Sequence, residues 1–241
     1  MHITSLTHPL VKHLVLLRKE SSYRKEAKTL LLIGEKMIRE FPFPIKCIIS
    51  KELTDFRAEK TILVTEEILQ KIAGLGFFDG VLAEVDQPQP QDVSMKNFVL
   101  ILDQIQDPGN VGTLLRTALA LGWEGVIATP NTADFFNDKV LRASQGAVFR
   151  LPFSLQTPDQ ITSWIQERKI PLWVADAGGS SLKGVSFRPP VALVLGNEGQ
   201  GVGSWAKSLG KSIAIPLQNK VESLNVAAAG SILLYEMRGA L

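Results

Sequence analysis

Three short blocks of polar residues and glycine carry the chemistry that this chain's residue types allow. Its histidines are His2, His8 and His13, and its one cysteine is Cys47. Beyond residue 13 there is therefore no histidine base and no histidine-ligated metal, and one cysteine makes neither an intrachain disulfide nor a cysteine-rich metal site. The first block is LDQIQDPGNVGTLLRT, residues 102–117, in which Asn110 sits at an expected helix start and Arg116 follows six positions later. Gly109 and Gly112 let the backbone approach a ligand or another chain; a tight strand–helix turn with a surface arginine explains the block equally well. The second is VALVLGNEGQGVGSW, residues 191–205, with Asn197 and Glu198 among glycines after an apolar run. The third is IAIPLQNKVESLNVAAAGSILLYEM, residues 213–237, where Glu222, Ser223 and Asn225 precede a small-residue helix. Backbone donors converge at such a helix start, and Glu222 or Ser223 is the expected cap. A tightly packed core helix is the bland reading of the same stretch.

The elements that must hold these blocks follow from periodicity and turn residues. Residues 98–102, 125–129, 171–175 and 191–195 read as buried strands, and 213–215 as a further short one. Helices are expected over 111–121, 138–144 and 159–168, and 148–153 reads as extended. The strands end in loops bearing Gly, Asn, Asp or Glu, where an open parallel sheet binds its ligands. Before them, the segment 86–96, DQPQPQDVSMK, reads as a linker. Residues 1–85 alternate short strands (29–33, 45–50, 61–64, 80–85) with helices over 5–19, 34–41 and 66–73, and residues 21–28 read as a loop or helix end. The expected fold is thus α/β, with domains at 1–85 and 98–241 joined by a linker over 86–97.

The net charge of +2 is small, but residues 1–40 hold eight bases against four acids. Lys12, Arg18, Lys19, Arg24 and Lys25 form a basic arm suited to a phosphate backbone; a solvated helix face would look the same. No run approaches the roughly 20 apolar residues of a membrane span and no signal peptide is visible, so the expectation is a cytoplasmic protein.

The three blocks, in order, resemble the SpoU (TrmH-like) family of SPOUT-class RNA 2′-O-ribose methyltransferases. The matching residues are Asp107-Pro108-Gly109-Asn110 with Gly112 and Arg116, then Leu195-Gly196-Asn197-Glu198-Gly199 with Gly201, then Ile215-Pro216-Leu217 with Glu222-Ser223-Leu224-Asn225-Val226. The first half resembles the L30e-like RNA-binding domain found in many members, through Ser5-Leu6, Pro9, Val11-Lys12, Leu32 and Gly34-Glu35-Lys36. Two positions depart from the pattern: Asn219 stands where the family often has glycine, and Ala227 where it often has serine.

The resemblance implies a parallel-sheet domain with a C-terminal trefoil knot and S-adenosylmethionine as methyl donor. It implies cofactor contacts at Leu195, Gly196, Asn197, Ile215, Leu217, Leu224 and Asn225, with no metal. Arg116, Asn110, Glu198, Ser223 and Asn225 take the catalytic and positioning roles, the acceptor being a ribose 2′-hydroxyl. Structured RNA, ribosomal in preference to transfer RNA, is the implied substrate, held in part by the basic arm. A homodimer through the last helix, with Ile232, Leu233 and Leu234 at the interface, is implied as well. Two other readings compete. Gly201, Gly203 and Ala206 loosely fit a dinucleotide fingerprint, which would suit an oxidoreductase, though no histidine proton donor lies nearby. A non-catalytic RNA-binding or ribosome-assembly protein of the same fold is the other.

Overall fold

A computed structural model describes residues 2–76, 79–218 and 223–239. The chain forms two compact units, Met1–Gln89 with Phe136–Phe149, and Pro90–Phe135 with Arg150–Leu241. The second is therefore not the continuous stretch 98–241: fourteen residues from its middle pack with the first unit. The expected linker is also shorter than 86–97. Val93 is fully buried, Gln91 N–H donates to the Phe153 carbonyl (2.7 Å), and the Trp164 indole donates to the Ser94 carbonyl (3.1 Å). One valine in a polar segment is enough to draw it into the second unit's core.

In the first unit, a five-stranded sheet has the order β1-β4-β3-β5-β2. Its strands are β1 (His2–Ile3), β2 (Thr29–Ile33), β3 (Ile45–Ser50), β4 (Lys60–Val64) and β5 (Val81–Asp86). Helices α1 (Pro9–Lys19), α2 (Ser21–Ala27), α3 (Glu35–Glu40) and α4 (Glu66–Ala73) complete it. Val11, Leu14 and Leu17 of α1 meet Ile68, Leu69 and Ile72 of α4 in one core, the i, i+3 spacing of both helices facing inward. Of residues 21–28, expected as a loop or a helix end, Ser21–Ala27 form a helix of their own. Its C-cap Lys28 takes left-handed backbone dihedrals.

The second unit is built on six parallel strands, order β11-β9-β10-β6-β7-β8. In chain order they and their helices are β6 (Phe98–Asp103), α5 (Pro108–Ala120), β7 (Gly125–Ala128), α6 (Asp138–Ser144, packed with the first unit), β8 (Phe153–Leu155), α7 (Pro158–Arg168), β9 (Leu172–Ser181), β10 (Val191–Gly196), α8 (Ser204–Leu209), β11 (Lys211–Ala214) and α9 (Val226–Arg238). The two central strands, β6 and β10, are buried at every position, as their unbroken apolar runs require. Ala192 and Val194 face a core shared with α7 and α8. On the opposite face, Gly230 of α9 lies where a Cβ would sit 2.4 Å from Leu114 of α5 and 2.5 Å from Leu195 of β10. A side chain there would separate α9 from both, which is why the small-residue stretch sits at this contact.

Several expectations shift. Residues 148–153 are not one extended run: Ala147–Phe149 is a 3-10 turn, and Phe149 packs edge-on to Phe41 at 5.0 Å. Strand β9 extends to Ser181, six residues beyond the expected end, because β11 pairs along it. Leu233 and Leu234 are buried in their own chain, leaving Ile232 (40% exposed) and Tyr235 (62%) on the outer face of α9. Among the described residues no helix is long and apolar enough to cross a membrane.

Candidate active site

The C-terminal ends of β6, β10 and β11, the middle of β9 and the start of α9 meet in the second unit, where sequence blocks more than 80 residues apart become neighbours. Asp107 caps α5, its carboxylate accepting from Asn110 N–H at 2.9 Å, and Pro108 supplies the preset first turn. This fixes Asn110 in the first turn, nine-tenths buried. Its side-chain amide donates to Glu198 Oε1 at 3.0 Å. The same carboxylate accepts the backbone N–H groups of Gln106 and Asp107, each at 3.2 Å. On the other side, Asn225 donates through Nδ2 to Asn110 Oδ1 at 3.0 Å. Asn225 Oδ1 in turn accepts from Ala227 N–H (2.9 Å) and Ala228 N–H (3.3 Å).

A single hydrogen-bonded relay therefore runs from the N-terminus of α9 through Asn225 and Asn110 to Glu198. Each amide can take only one orientation in it, since Asn225 Oδ1 is occupied by N–H donors and Asn110 Nδ2 must face a carboxylate. The helix end supplies partial positive charge and Glu198 a full negative one, so the bonds polarise in one direction. Burial pushes the Glu198 carboxyl up, but donation from Asn110, its own backbone, Gln106 and Asp107 outweighs this and holds its pKa below the usual glutamate value. An ionised carboxylate held by these donors is a scaffold and not a proton acceptor. The cap of α9 is thus Asn225; Ser223 makes no such bond, and Glu222 lies outside the described residues, as do Asn219 and Lys220.

Beside this relay lies a cleft of about 390 Å³. Leu195, Gly196, Asn197, Ile215, Leu217, Leu224 and Asn225, the seven residues expected at a cofactor, all line it, together with Glu198 and Ser223. Its floor depends on Gly196. A Cβ there would stand 2.3 Å from the Val202 nitrogen, because the loop folds back on itself through an Asn197–Gly201 bridge. Asn197 holds that loop: Oδ1 accepts from Gly199 and Gln200 N–H (2.9 and 3.0 Å), and Nδ2 donates to the Gln104 carbonyl (2.9 Å). The volume is within the roughly 300–1,000 Å³ of ordinary ligand pockets. An apolar wall of Leu195, Ile213, Ile215, Leu217 and Leu224 with backbone polar edges suits a flat heteroaromatic ring carried on a polar tail.

Arg116 is not among the cleft-lining residues; it is exposed, six residues along α5 from Asn110 and so on a different face of that helix. Ala175, Asp176 and Ala177 in the middle of β9 also line the cleft, and sequence reasoning did not single them out. The only signal available was a buried strand ending in a polar residue. Of the turn that mimics a dinucleotide fingerprint, Gly201 and Val202 line the cleft, while the donors that follow are committed elsewhere. Gly203 N–H and the Trp205 indole both donate to Asp103 Oδ2 (2.9 and 3.2 Å), whose other oxygen accepts from Thr129 (2.9 Å). Asp103 is buried, so these donors close a structural knot of bonds and present nothing to a pyrophosphate.

In the first unit, the basic arm divides. Lys12, Lys19 and Lys25 are exposed. Arg24 is 3% exposed and donates to the Leu17 (2.8 Å) and Arg18 (3.2 Å) carbonyls, while Arg18 donates to the Ala73 carbonyl (3.1 Å). Both arginines thus satisfy the last carbonyls of helices, α1 and α4 respectively, where cations are favoured. Their expected role in RNA contact gives way to a structural one for Arg24, whose guanidinium is buried.

The pattern of the SpoU rRNA Methylase family matches residues 97–235. The chain is 29% identical over 226 residues to the 23S rRNA (guanosine(2553)-2′-O)-methyltransferase RlmP of Bacillus subtilis, covering 90% of this chain and 91% of that protein. Its fold matches the SpoU methyltransferase AviRb from Streptomyces viridochromogenes, solved in complex with the cofactor AdoMet, with a TM-score of 0.85 at 25% identity over 96% of this chain and 97% of that one. An AdoMet-bound rRNA methyltransferase from Sinorhizobium meliloti matches with a TM-score of 0.87 at 26% identity, over 99% and 97% of the two chains. With the family pattern spanning the cleft, the relay and the three blocks that form them, this chain belongs to the SpoU rRNA methylase family.

Proposed function

We propose that this protein transfers a methyl group from S-adenosylmethionine to a ribose 2′-hydroxyl of ribosomal RNA. The observation that carries the reading is the relay Asn225–Asn110–Glu198 closing one side of the 390 Å³ cleft that all seven expected cofactor residues line. Leu195, Ile215, Leu217 and Leu224 would hold the adenosyl part, and backbone groups at Gly196 and Asn197 its polar edge. Bound there, S-adenosylmethionine supplies an electrophilic methyl on a sulfonium.

The protein's own task is to bring a hydroxyl to that methyl and remove its proton. A 2′-hydroxyl is a poor nucleophile, and the Glu198 carboxylate is held by three donors that keep it ionised. Arg116 is too basic to accept a proton near neutral pH; its exposed guanidinium fork suits gripping the neighbouring phosphate and the hydroxyl together, with that phosphate assisting proton loss. Asn110, Glu198 and Asn225 hold the entrance rigid, and Ser223 offers a hydroxyl at its rim. In this reading the close backbone crossing at Gly196 belongs to a trefoil knot. The first unit is an L30e-like RNA-binding domain presenting Lys12, Lys19 and Lys25. Ile232 and Tyr235 on α9 face a second copy in a homodimer, and the protein works in the cytoplasm, where ribosomal RNA is the substrate. The relative named RlmP supports ribosomal over transfer RNA because the match runs through nine-tenths of both chains, both units included.

The test is transfer of tritiated methyl from S-adenosylmethionine to unmodified 23S and 16S rRNA and to bulk tRNA. Incorporation into rRNA at a 2′-O-methyl nucleotide, lost in Arg116→Ala, is the expected result. Incorporation into tRNA alone overturns the substrate, and none despite cofactor binding favours the RNA-binding reading.

A further inference from the structure

We infer that Asp176 is a cofactor-recognition residue, its carboxylate accepting a hydrogen bond from an N–H or O–H donor of the bound ligand, and that Lys207 is the positioning residue that aims it. This rests on the reading of the cleft as an S-adenosylmethionine site. Among the described side chains that line the cleft, most polar ones are already committed. Glu198 accepts three donors, Asn197 bonds through both ends of its amide, and Asn225 does the same. That leaves Asp176 and the Ser223 hydroxyl to address a ligand.

Asp176 lies midway along β9, two residues past its last pairing with β10 and between its two stretches of pairing with β11, where the register shifts. Its Oδ1 accepts one bond, from Gly178 N–H at 3.1 Å, and its Oδ2 one, from Lys207 Nζ at 2.7 Å. Each carboxylate oxygen takes two, so acceptor capacity remains on both. Hydrogen bonds from the Lys207 ammonium and then from the Gly178 backbone N–H also hold the Asp176 pKa below the usual value, so it is ionised at neutral pH. An ionised carboxylate with open acceptor sites on a cleft wall is suited to the hydroxyl and amino donors of a nucleoside ligand. Lys207 belongs to α8 and reaches Asp176 from outside the cleft lining, which makes it a support and not a contact.

The experiment is calorimetric titration of S-adenosylhomocysteine and of methylthioadenosine into the full chain, for wild type, Asp176→Asn, Lys207→Met and Lys207→Arg. Removing one charge-assisted acceptor raises the dissociation constant by about tenfold in Asp176→Asn, with the unliganded melting temperature falling only slightly as the part-exposed pair with Lys207 is lost. Lys207→Met gives a smaller rise, and Lys207→Arg restores wild-type affinity. A loss shared by both ligands places the donor on the adenosine; a loss for S-adenosylhomocysteine alone places it on the ammonium. Wild-type affinity in Asp176→Asn overturns the inference while the cofactor site stands. Absence of binding to the wild type overturns the cofactor reading itself. Should Asp176→Asn fail to fold, unchanged affinity in Lys207→Met overturns the aiming role, and a rise rescued by arginine supports it.

Discussion

The two units use their polar residues in opposite ways. In the first, charge that looked like an RNA-binding arm is partly internal: Arg24 and Arg18 close helix ends. In the second, two asparagines and one glutamate, Asn110, Asn225 and Glu198, come together from three blocks into one relay beside a cleft. Composition counts charges without saying which are buried. Ordered blocks with fixed spacing say which residues must meet, and for this chain that was the more dependable guide.

The contrast can be broken most forcefully at Gly196. Gly196→Val drives a side chain into the Val202 backbone, which has no flexible end to yield; we expect a cost of about 3 kcal/mol and loss of cofactor binding, read by denaturant melts and calorimetry. Asn110→Ala interrupts the relay and leaves Asn225 and Glu198 each short of a partner, at about 2 kcal/mol. Methyl transfer should fall with it, more than cofactor affinity does. The mirror experiment in the first unit is Arg24→Met, which removes a buried guanidinium from the end of α1 and should also cost about 2 kcal/mol. Cofactor affinity should stay at the wild-type value in that variant. An equal loss of affinity would erase the distinction between a structural arginine and a functional relay.

Two gentler changes sharpen it further. Glu198 has a folded pKa below its unfolded one, so its stabilisation is complete above the unfolded value of roughly 4.3 and disappears as pH falls through the folded pKa. Glu198→Gln should therefore narrow its stability gap to wild type as melts are taken from neutral pH into acid. Smallest in stability is the combined Lys12→Ala, Lys19→Ala, Lys25→Ala variant, since all three side chains are exposed. Its effect belongs to RNA binding, where the salt slope should shrink by about 2 if each lysine meets a phosphate.

How much was legible follows from the range of the forces involved. Buried strands announced themselves as apolar runs, and β6 and β10 lie where those runs stand. Site residues came from ordered motifs, and those placed at the cofactor all line the cleft. Asp176 and Lys207 belong to no such pattern; their meeting depends on α8 packing beside the middle of β9, which only the folded chain shows. The packing of residues 136–149 within the first unit was equally hidden, because it includes the edge-to-face contact of Phe149 with Phe41, more than 100 residues apart. The α9 cap was misplaced for a local reason: Glu222, Ser223 and Asn225 all have capping side chains, and only geometry selects Asn225.

The most direct single measurement is equilibrium binding of S-adenosylmethionine to the wild type and to Gly196→Val, with circular dichroism on both. One site per chain in the wild type, lost in a variant that keeps its secondary structure, is the expected result. Undiminished binding in that variant would place the cofactor outside this cleft and contradict the function proposed for it.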